Sequence, residues 1–353
     1  MTAPVVVNAR AAARAETGGV ERLARELSAR LPELRPGRYR VLRPPGALAH
    51  RAGHAWEQLA LPLAARGARL ILSPANLAPL ASARNVVYVH DTASLREPAW
   101  FGRAYGAWHR FALRRIAARA RLLLVPSAFV RAELQELLGV HGERVRIVPP
   151  GVGPGFTPAG AAPAAATPAA SPPPAGPRGA GPPPEGLEPP YVLALGTPSA
   201  RKNLALLDRV APLLAAEGIG VVVAGSTRGY LRQEDGAAVR SLGYVPEARL
   251  PALYAGAAAL AMPSLYEGFG LPCVEAMACG TPVVAADRAA LPEACGGAAL
   301  LADPRDAEGF AHALLQAVGP DRERLRAAGL ERARSLTWER TAELADTALA
   351  ELL

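Results

Sequence analysis

The sequence predicts an α/β protein built from two doubly wound domains, each a parallel sheet with helices on both faces. Three observations predict it. Short aliphatic runs alternate with helical stretches along both halves of the chain, the pattern of parallel α/β layers. Residues 157–190 are nearly all Ala, Pro, Gly and Ser and carry no hydrophobic periodicity, so they bury no core and read as a flexible linker. The chain of 353 residues is half hydrophobic, enough for about two domains of ordinary size. The expected division is a first domain over 1–156, the linker, a second domain over 191–336 and a C-terminal helix over 337–353. The strand ends of two such domains are expected to face a shared cleft.

In the first half, 5–8 reads as a strand and 20–31 as a helix, with Val20, Leu23, Ala24, Leu27 and Leu31 recurring at helical spacing. Residues 69–73, 85–90, 121–126 and 144–148 are short strands of the buried type, several of them joined by basic helices. In the second half, 191–196, 220–224, 259–262 and 282–286 read as strands with helices between, and 337–353 is amphipathic. No run reaches the ~18 uninterrupted apolar residues of a spanning helix. The N-terminus passes straight into Val5-Val6-Val7 without the basic and apolar regions of a secretory signal. Cys273, Cys279 and Cys295 have no metal-ligand spacing and read as reduced, buried thiols. A bacterial-type cytoplasm, against the inner face of the plasma membrane, is the expected location.

The net charge of +8 is unevenly spread. Residues 1–155 hold 23 Arg against 10 acids, whereas 156–353 hold 16 basic and 21 acidic groups. A basic half suits an anionic partner: phospholipid, a lipid-linked phosphate or nucleic acid. The alternative is arginine-rich composition with solvated side chains. Lys202 is the only lysine among 39 basic residues. Its compact ammonium on a flexible stem approaches phosphate oxygens as a point charge, which a planar guanidinium does not.

The densest signal runs from Pro263 to Gly280: Pro-Ser-Leu-Tyr-Glu-Gly-Phe-Gly-Leu-Pro-Cys-Val-Glu-Ala-Met-Ala-Cys-Gly. A strand ends near Met262, and Gly268 and Gly270 flank Phe269 in a tight loop. Pro272 suits the first turn of a helix, and Gly280 suits a left-handed stop with Pro282 beyond it. Loop glycines ahead of a helix expose N–H groups at the positive end of its dipole, an arrangement that binds phosphate. Glu267 lies in the loop and Glu275 about one turn into the helix, so they face different parts of one ligand rather than one helical face.

Glu267 and Glu275, with seven residues and a Gly-Phe-Gly between them, resemble the EX7E motif of family-4 retaining glycosyltransferases, among them bacterial mannosyltransferases of polysaccharide and O-antigen synthesis. The resemblance covers nearly the whole chain except the Pro/Ala-rich linker, which is longer than the family pattern. It implies the GT-B arrangement: two Rossmann-like domains around a central cleft, with the C-terminal helix crossing back to the first. It also implies that Glu267 contacts the donor sugar, that the amides of Gly268, Phe269, Gly270 and Leu271 meet sugar and diphosphate, and that Glu275 binds the ribose hydroxyls. Gly196 leaves the first strand of the second domain, and Arg201 and Lys202 beside it fall where the family holds the donor diphosphate, at what reads as a helix start. Gly18 and Gly19, in Thr17-Gly18-Gly19-Val20-Glu21, resemble the family's glycine-rich loop near the donor phosphate and acceptor. Val245, in Gly243-Tyr244-Val245-Pro246, falls where the nucleobase is held. His90, in a His-Asp pair at a strand end, is implied to contact the transferred sugar, while Asp91 either caps a helix or orients His90.

These residues give an expected reaction: hexose transfer from a nucleotide-diphosphate sugar with retention, without a metal or cofactor. Catalytic roles are expected for His90, Arg201, Lys202 and Glu267. GDP-mannose is the favoured donor, because the His-Asp segment with Glu97-Pro98-Ala99-Trp100-Phe101 looks like mannosyltransferases. An envelope saccharide or lipid-linked acceptor is expected. An anionic membrane surface is a further expected partner, since Trp108 and Phe111 sit among Arg110, Arg114, Arg115, Arg119 and Arg121. The absence of Asp-x-Asp removes the ligand pair for a metal-bound diphosphate. Three rivals are weighed. A dinucleotide oxidoreductase lacks its G-x-G-x-x-G, a nucleic-acid-binding protein lacks any recognisable module, and a non-catalytic donor-binding partner subunit stays open.

Overall fold

Short aliphatic segments become strands here because both faces of each sheet are covered, so alternation with polar residues is not needed. The computed structural model describes residues 4–14, 18–46, 53–160, 187, 190–225 and 239–353. The chain divides into two compact units, Met1–Gly151 with Trp338–Leu353, and Val152–Thr337.

The first unit runs β1 (Val5–Asn8), α1 (Gly19–Leu34), β2 (Tyr39–Leu42), α2 (Gly53–Ala64), β3 (Leu70–Ser73), β4 (Asn85–Tyr88), α3 (Ala93–Arg96), α4 (Arg103–Arg119), β5 (Leu122–Val125), α5 (Ala128–Leu138) and β6 (Val145–Ile147). Its strands lie in the order β2-β1-β3-β4-β5-β6. All five pairings are parallel. β1, β3, β4 and β5 are buried throughout, as their aliphatic runs require.

The second unit runs β7 (Tyr191–Leu195), α6 (Ala205–Ala215), β8 (Gly220–Ala224), β9 (Arg240–Ser241), α7 (Leu250–Ala255), β10 (Ala259–Met262), α8 (Leu271–Ala278), β11 (Val283–Ala286), α9 (Leu291–Cys295), β12 (Leu300–Ala302), α10 (Ala307–Val318) and α11 (Arg322–Arg334). Its order is β12-β11-β10-β7-β8-β9, again parallel throughout. Core residues pack on both faces: Leu193, Leu260 and Val283 with α8 on one, and Val192, Ala261 and Val284 with α6 and α10 on the other. Both units are therefore doubly wound α/β layers, the fold class expected.

The final helix, α12 (Trp338–Ala350), belongs to the first unit and packs on α1. Asp346, nearly buried, accepts from Tyr39 Oη at 2.5 Å, Arg38 Nη1 at 2.7 Å and Arg35 Nε at 3.1 Å. Burial pushes its carboxyl up, but Tyr39, Arg38 and Arg35 more than offset that and hold it below the usual carboxylate range. Thr341 Oγ1 adds a bond to Pro149 O at 2.8 Å. The crossing back of the C-terminal helix is thus fixed by charge-assisted bonds as well as by buried Trp338 and Leu349.

The division between units falls at Gly151/Val152, ahead of the expected boundary after residue 156. Val152 donates to Leu336 O at 2.9 Å, and Phe156 packs against Tyr254, so this stretch already belongs to the second core. Of the expected linker, only 157–160, 187 and 190 are among the described residues.

Candidate donor site

The site in the second unit gathers at the carboxyl ends of β7 and β10, where open parallel sheets collect ligands. β7 ends at Leu195, and Gly196 follows with φ 154°, its N–H donating to Ala224 O at 2.9 Å. A Cβ on Gly196 would lie 2.8 Å from Lys202 Cε and 2.9 Å from Cδ, so the missing side chain makes room for the lysine stem. Gly225, at the end of β8, has φ 157°, and a Cβ there would collide with the Gly196 carbonyl. The two glycine turns therefore press backbone against backbone, and that contact fixes where Lys202 lies.

Arg201 and Lys202 stand on a 3-10 turn, Ala200–Lys202, not at the start of a helix as expected. Asn203 stops the turn in the left-handed region with φ 53°, and its amide donates to Pro263 O at 3.1 Å and Pro304 O at 2.8 Å. α6 begins only at Ala205. The charge partner of both cations is Glu267. Its Oε1 is 2.7 Å from Lys202 Nζ and its Oε2 is 3.2 Å from Arg201 Nη1. Burial pushes the Glu267 carboxyl up, while Lys202, Arg201 and Ser264 pull it down and leave it below the ordinary value, hence ionised. A backbone bond from Leu265 N to Arg201 O at 2.9 Å joins the turn to the loop, and one from Ala290 N to Glu267 O at 3.3 Å joins the loop to the start of α9.

Gly270 stands at the N-cap of α8 with φ 112°, and a Cβ there would come 2.6 Å from Leu291 Cδ2. Pro272 occupies the first turn, and Gly280 follows the helix with φ 72°. Gly268, Phe269, Gly270 and Leu271 thus enter α8 as one loop. Phe269 is 6% exposed and packs in the core, so only its backbone is available to a ligand. Glu275 is 3% exposed, with Oε2 accepting from Tyr254 Oη at 2.8 Å. Val245 is half-buried against the same core, next to exposed Tyr244. The buried thiols of Cys273 and Cys279 stay protonated. A hydrogen bond with Cys295 and burial raise Cys273, and burial pushes Cys279 up to about 12.

In the first unit, His90 follows β4 with its N–H on Asn76 Oδ1 at 2.6 Å and its Nε2 2.9 Å from Pro74 O. Burial lowers its pKa, against the opposing pull of the Pro74 carbonyl and Asp91, so the ring is neutral at pH 7. Asp91 accepts from Ala93 N at 3.1 Å, a turn bond at the entry to α3, where Thr92 holds the cap position. Gly18 and Gly19 open α1, with Gly18 N donating to the buried Glu21 carboxylate at 3.1 Å. Thr17 lies outside the described residues.

Three features escape sequence reasoning. Gly225 is one, although Val-Val-Val-Ala-Gly at β8 repeats the ending Val-Leu-Ala-Leu-Gly at β7 and signals it. Tyr254 is another, and nothing local in the sequence joins it to Glu275. The third is a buried network in which Glu57 Oε1 accepts from Asn8 at 2.7 Å and Arg10 at 3.1 Å. Its signal is polar Asn8 and Ser73 at the ends of otherwise aliphatic strands.

A sequence model for Glycosyltransferase Family 4 matches residues 37–156, and one for Glycosyl transferases group 1 matches residues 189–319. The chain is similar to O-antigen chain mannosyltransferase B of Escherichia coli, 34% identical over 166 residues, which is 42% of this chain and 42% of that protein. It is also similar to D-inositol 3-phosphate glycosyltransferase of Mycobacterium bovis, 36% identical over 115 residues, 26% of this chain and 24% of that protein. The chain thus spans less than half the length of the curated relatives it matches. Among solved structures, sucrose-phosphate synthase from Thermosynechococcus elongatus superposes with a TM-score of 0.71 at 19% identity, over 99% of both chains. WaaG, a glycosyltransferase involved in lipopolysaccharide biosynthesis, superposes with a TM-score of 0.64 at 14% identity, over 97% of this chain and 98% of that one. At such identities the likeness is one of fold. The chain thus matches a glycosyltransferase family 4 domain in its first half and a glycosyl transferases group 1 domain in its second, and its fold is that of glycosyltransferases of known structure.

Proposed function

We propose that the protein transfers a hexose, with mannose favoured, from a nucleotide-diphosphate sugar to an envelope saccharide or lipid-linked acceptor, retaining anomeric configuration and using no metal. The observation that carries this reading is the convergence of Lys202, Arg201 and Glu267 beside the glycine-opened start of α8. Two cations and a set of backbone N–H groups at a helix start suit a diphosphate and neutralise the charge that grows as it leaves. Glu267 and His90 position the sugar. Glu275, held by Tyr254, anchors the ribose, and the backbone at Val245 meets the base. The leaving phosphate takes the proton of the acceptor hydroxyl as it attacks the same face. The mannosyltransferase named among the relatives supports mannose as the transferred sugar, and GDP-mannose is the donor proposed.

Incubating the protein with GDP-mannose, other nucleotide sugars and a lipid-diphosphate saccharide tests this. Release of nucleoside diphosphate with an α-linked product from an α-donor is the expected result. Donor binding without hydrolysis or transfer from any of them would instead favour a non-catalytic donor-binding subunit.

The same reading includes a peripheral membrane site on α4, at the cytoplasmic face. Trp108 is 40% and Phe111 57% exposed on this helix, among Arg103, Arg110, Arg114, Arg115 and Arg119. No helix among the described residues is long and apolar enough to cross a membrane. Aromatic rings beside guanidinium groups suit an anionic lipid surface. The protein is expected to sediment with phosphatidylglycerol vesicles at low salt and to be released at high salt, and Arg114→Glu/Arg115→Glu weakens the association. Equal sedimentation with neutral vesicles would contradict the membrane site.

A further inference from the structure

Glu267 occupies the two cations that a diphosphate needs. The residue is 8% exposed, and its ionised carboxylate lies 2.7 Å from Lys202 Nζ and 3.2 Å from Arg201 Nη1. The trio therefore carries a net single positive charge before any ligand arrives. The Lys202 stem lies over Gly196, and Arg201 is held through its backbone oxygen by Leu265 N and through Nη1 by Tyr266 O at 3.4 Å. An entering diphosphate must either share these cations with the carboxylate or displace it.

This competition acts unequally on donor and product. In a nucleotide sugar the diphosphate carries about two negative charges, because its outer phosphoryl group is esterified. After transfer the glycosidic bond is to the acceptor, the C1–O bond to the phosphate is broken, and the outer phosphate holds the electron pair. The acceptor's proton, taken up by that phosphate as it leaves, then passes to solvent, since a second pKa near 6 leaves the outer phosphate with about one further charge at pH 7. A fixed carboxylate a few ångströms away opposes the product more than the donor.

We infer that Glu267 is a built-in counter-ion that weakens retention of the nucleoside diphosphate product, in addition to its contact with the sugar. The inference rests on the donor-site reading above. In the empty state the carboxylate keeps Lys202 and Arg201 ordered and prevents their mutual repulsion, and after transfer it reclaims them. Glu267 is then a residue of product release, and its removal has opposite effects on product binding and on turnover.

Titration calorimetry with GDP and with UDP on the full chain separates the possibilities, using Lys202→Ala, Glu267→Gln and Glu267→Ala, each checked for a cooperative melt. Glu267→Gln is expected to bind the nucleoside diphosphate about tenfold more tightly than the unaltered protein, while transfer falls. Glu267→Ala has the same sign, and guards against a fold defect peculiar to the amide. Lys202→Ala is expected to weaken the same ligand at least tenfold. If Lys202→Ala weakens binding but neither Glu267 variant strengthens it, the counter-ion role is wrong and the donor site stands. If Lys202→Ala leaves both affinities unchanged, or neither nucleotide binds the unaltered protein, the donor site itself is wrong and the inference falls with it.

Discussion

Replacing Lys202 by Ala is expected to lower sugar transfer by about 10²–10³-fold, the cost of removing one preorganised electrostatic partner from a developing anion. The effect lies mainly in kcat, because the charge on the leaving diphosphate is larger in the transition state than in the bound donor. Stability also falls, by a smaller amount. Glu267 keeps Arg201 at 3.2 Å, so the variant loses about 1–3 kcal/mol for a partly desolvated carboxylate with one cation fewer. Lys202→Arg is not expected to restore the rate. The lysine stem fits in the space left by Gly196, where a Cβ would stand 2.8 Å from Lys202 Cε, and a planar guanidinium does not follow that path to Glu267 Oε1. Steady-state kinetics with a melting curve for each variant checks both statements. Near-normal kcat in Lys202→Ala would remove this lysine from the chemistry.

Glu275→Gln is expected to act on the other side of the kinetics. A buried carboxylate holding ribose hydroxyls contributes about 1.5–3 kcal/mol of charge-assisted hydrogen bonding, so KM for the donor rises roughly tenfold to a hundredfold while kcat changes little. Tyr254→Phe supplies the companion measurement. Tyr254 Oη donates to Glu275 Oε2 at 2.8 Å and is fully buried, so its loss leaves the carboxylate less well oriented rather than absent. A rise of a few-fold in KM is expected for it, in the same direction as Glu275→Gln. A drop in kcat with KM unmoved in both variants would show that Glu275 does not meet the ribose.

Much of the fold is legible in the sequence, and the reason is visible in particular strands. β1, β3, β4 and β5 lie in the interior of one sheet, and β10 and β11 in that of the other, and their residues are buried on both faces. Such strands must be continuous aliphatic runs, which a reader of sequence finds easily. β2, β9 and β12 are missed because they lie at or near sheet edges, where Arg40, Arg240, Ser241 and Leu301 face solvent and no aliphatic signal is required.

The site divides in the same way. Gly270, Pro272 and Gly280 each answer a local backbone need at α8, so the Glu267 loop is readable as one unit. The turn at Ala200–Lys202 is misread as a helix start because its end depends on Asn203, whose left-handed backbone is secured by carbonyls 60 and 101 residues away. The pairing of Glu267 with Lys202 spans 65 residues and that of Tyr254 with Glu275 spans 21. Contacts at such separations come from the order of strands, which periodicity does not encode.

A crystal structure of the protein with GDP or UDP bound tests the donor site most directly. The expected result is a diphosphate within hydrogen-bond distance of Lys202 Nζ and the amides at the start of α8, ribose hydroxyls on Glu275, and the base against the backbone at Val245. A nucleotide bound elsewhere on the second unit, with Lys202 still paired only to Glu267, would contradict it.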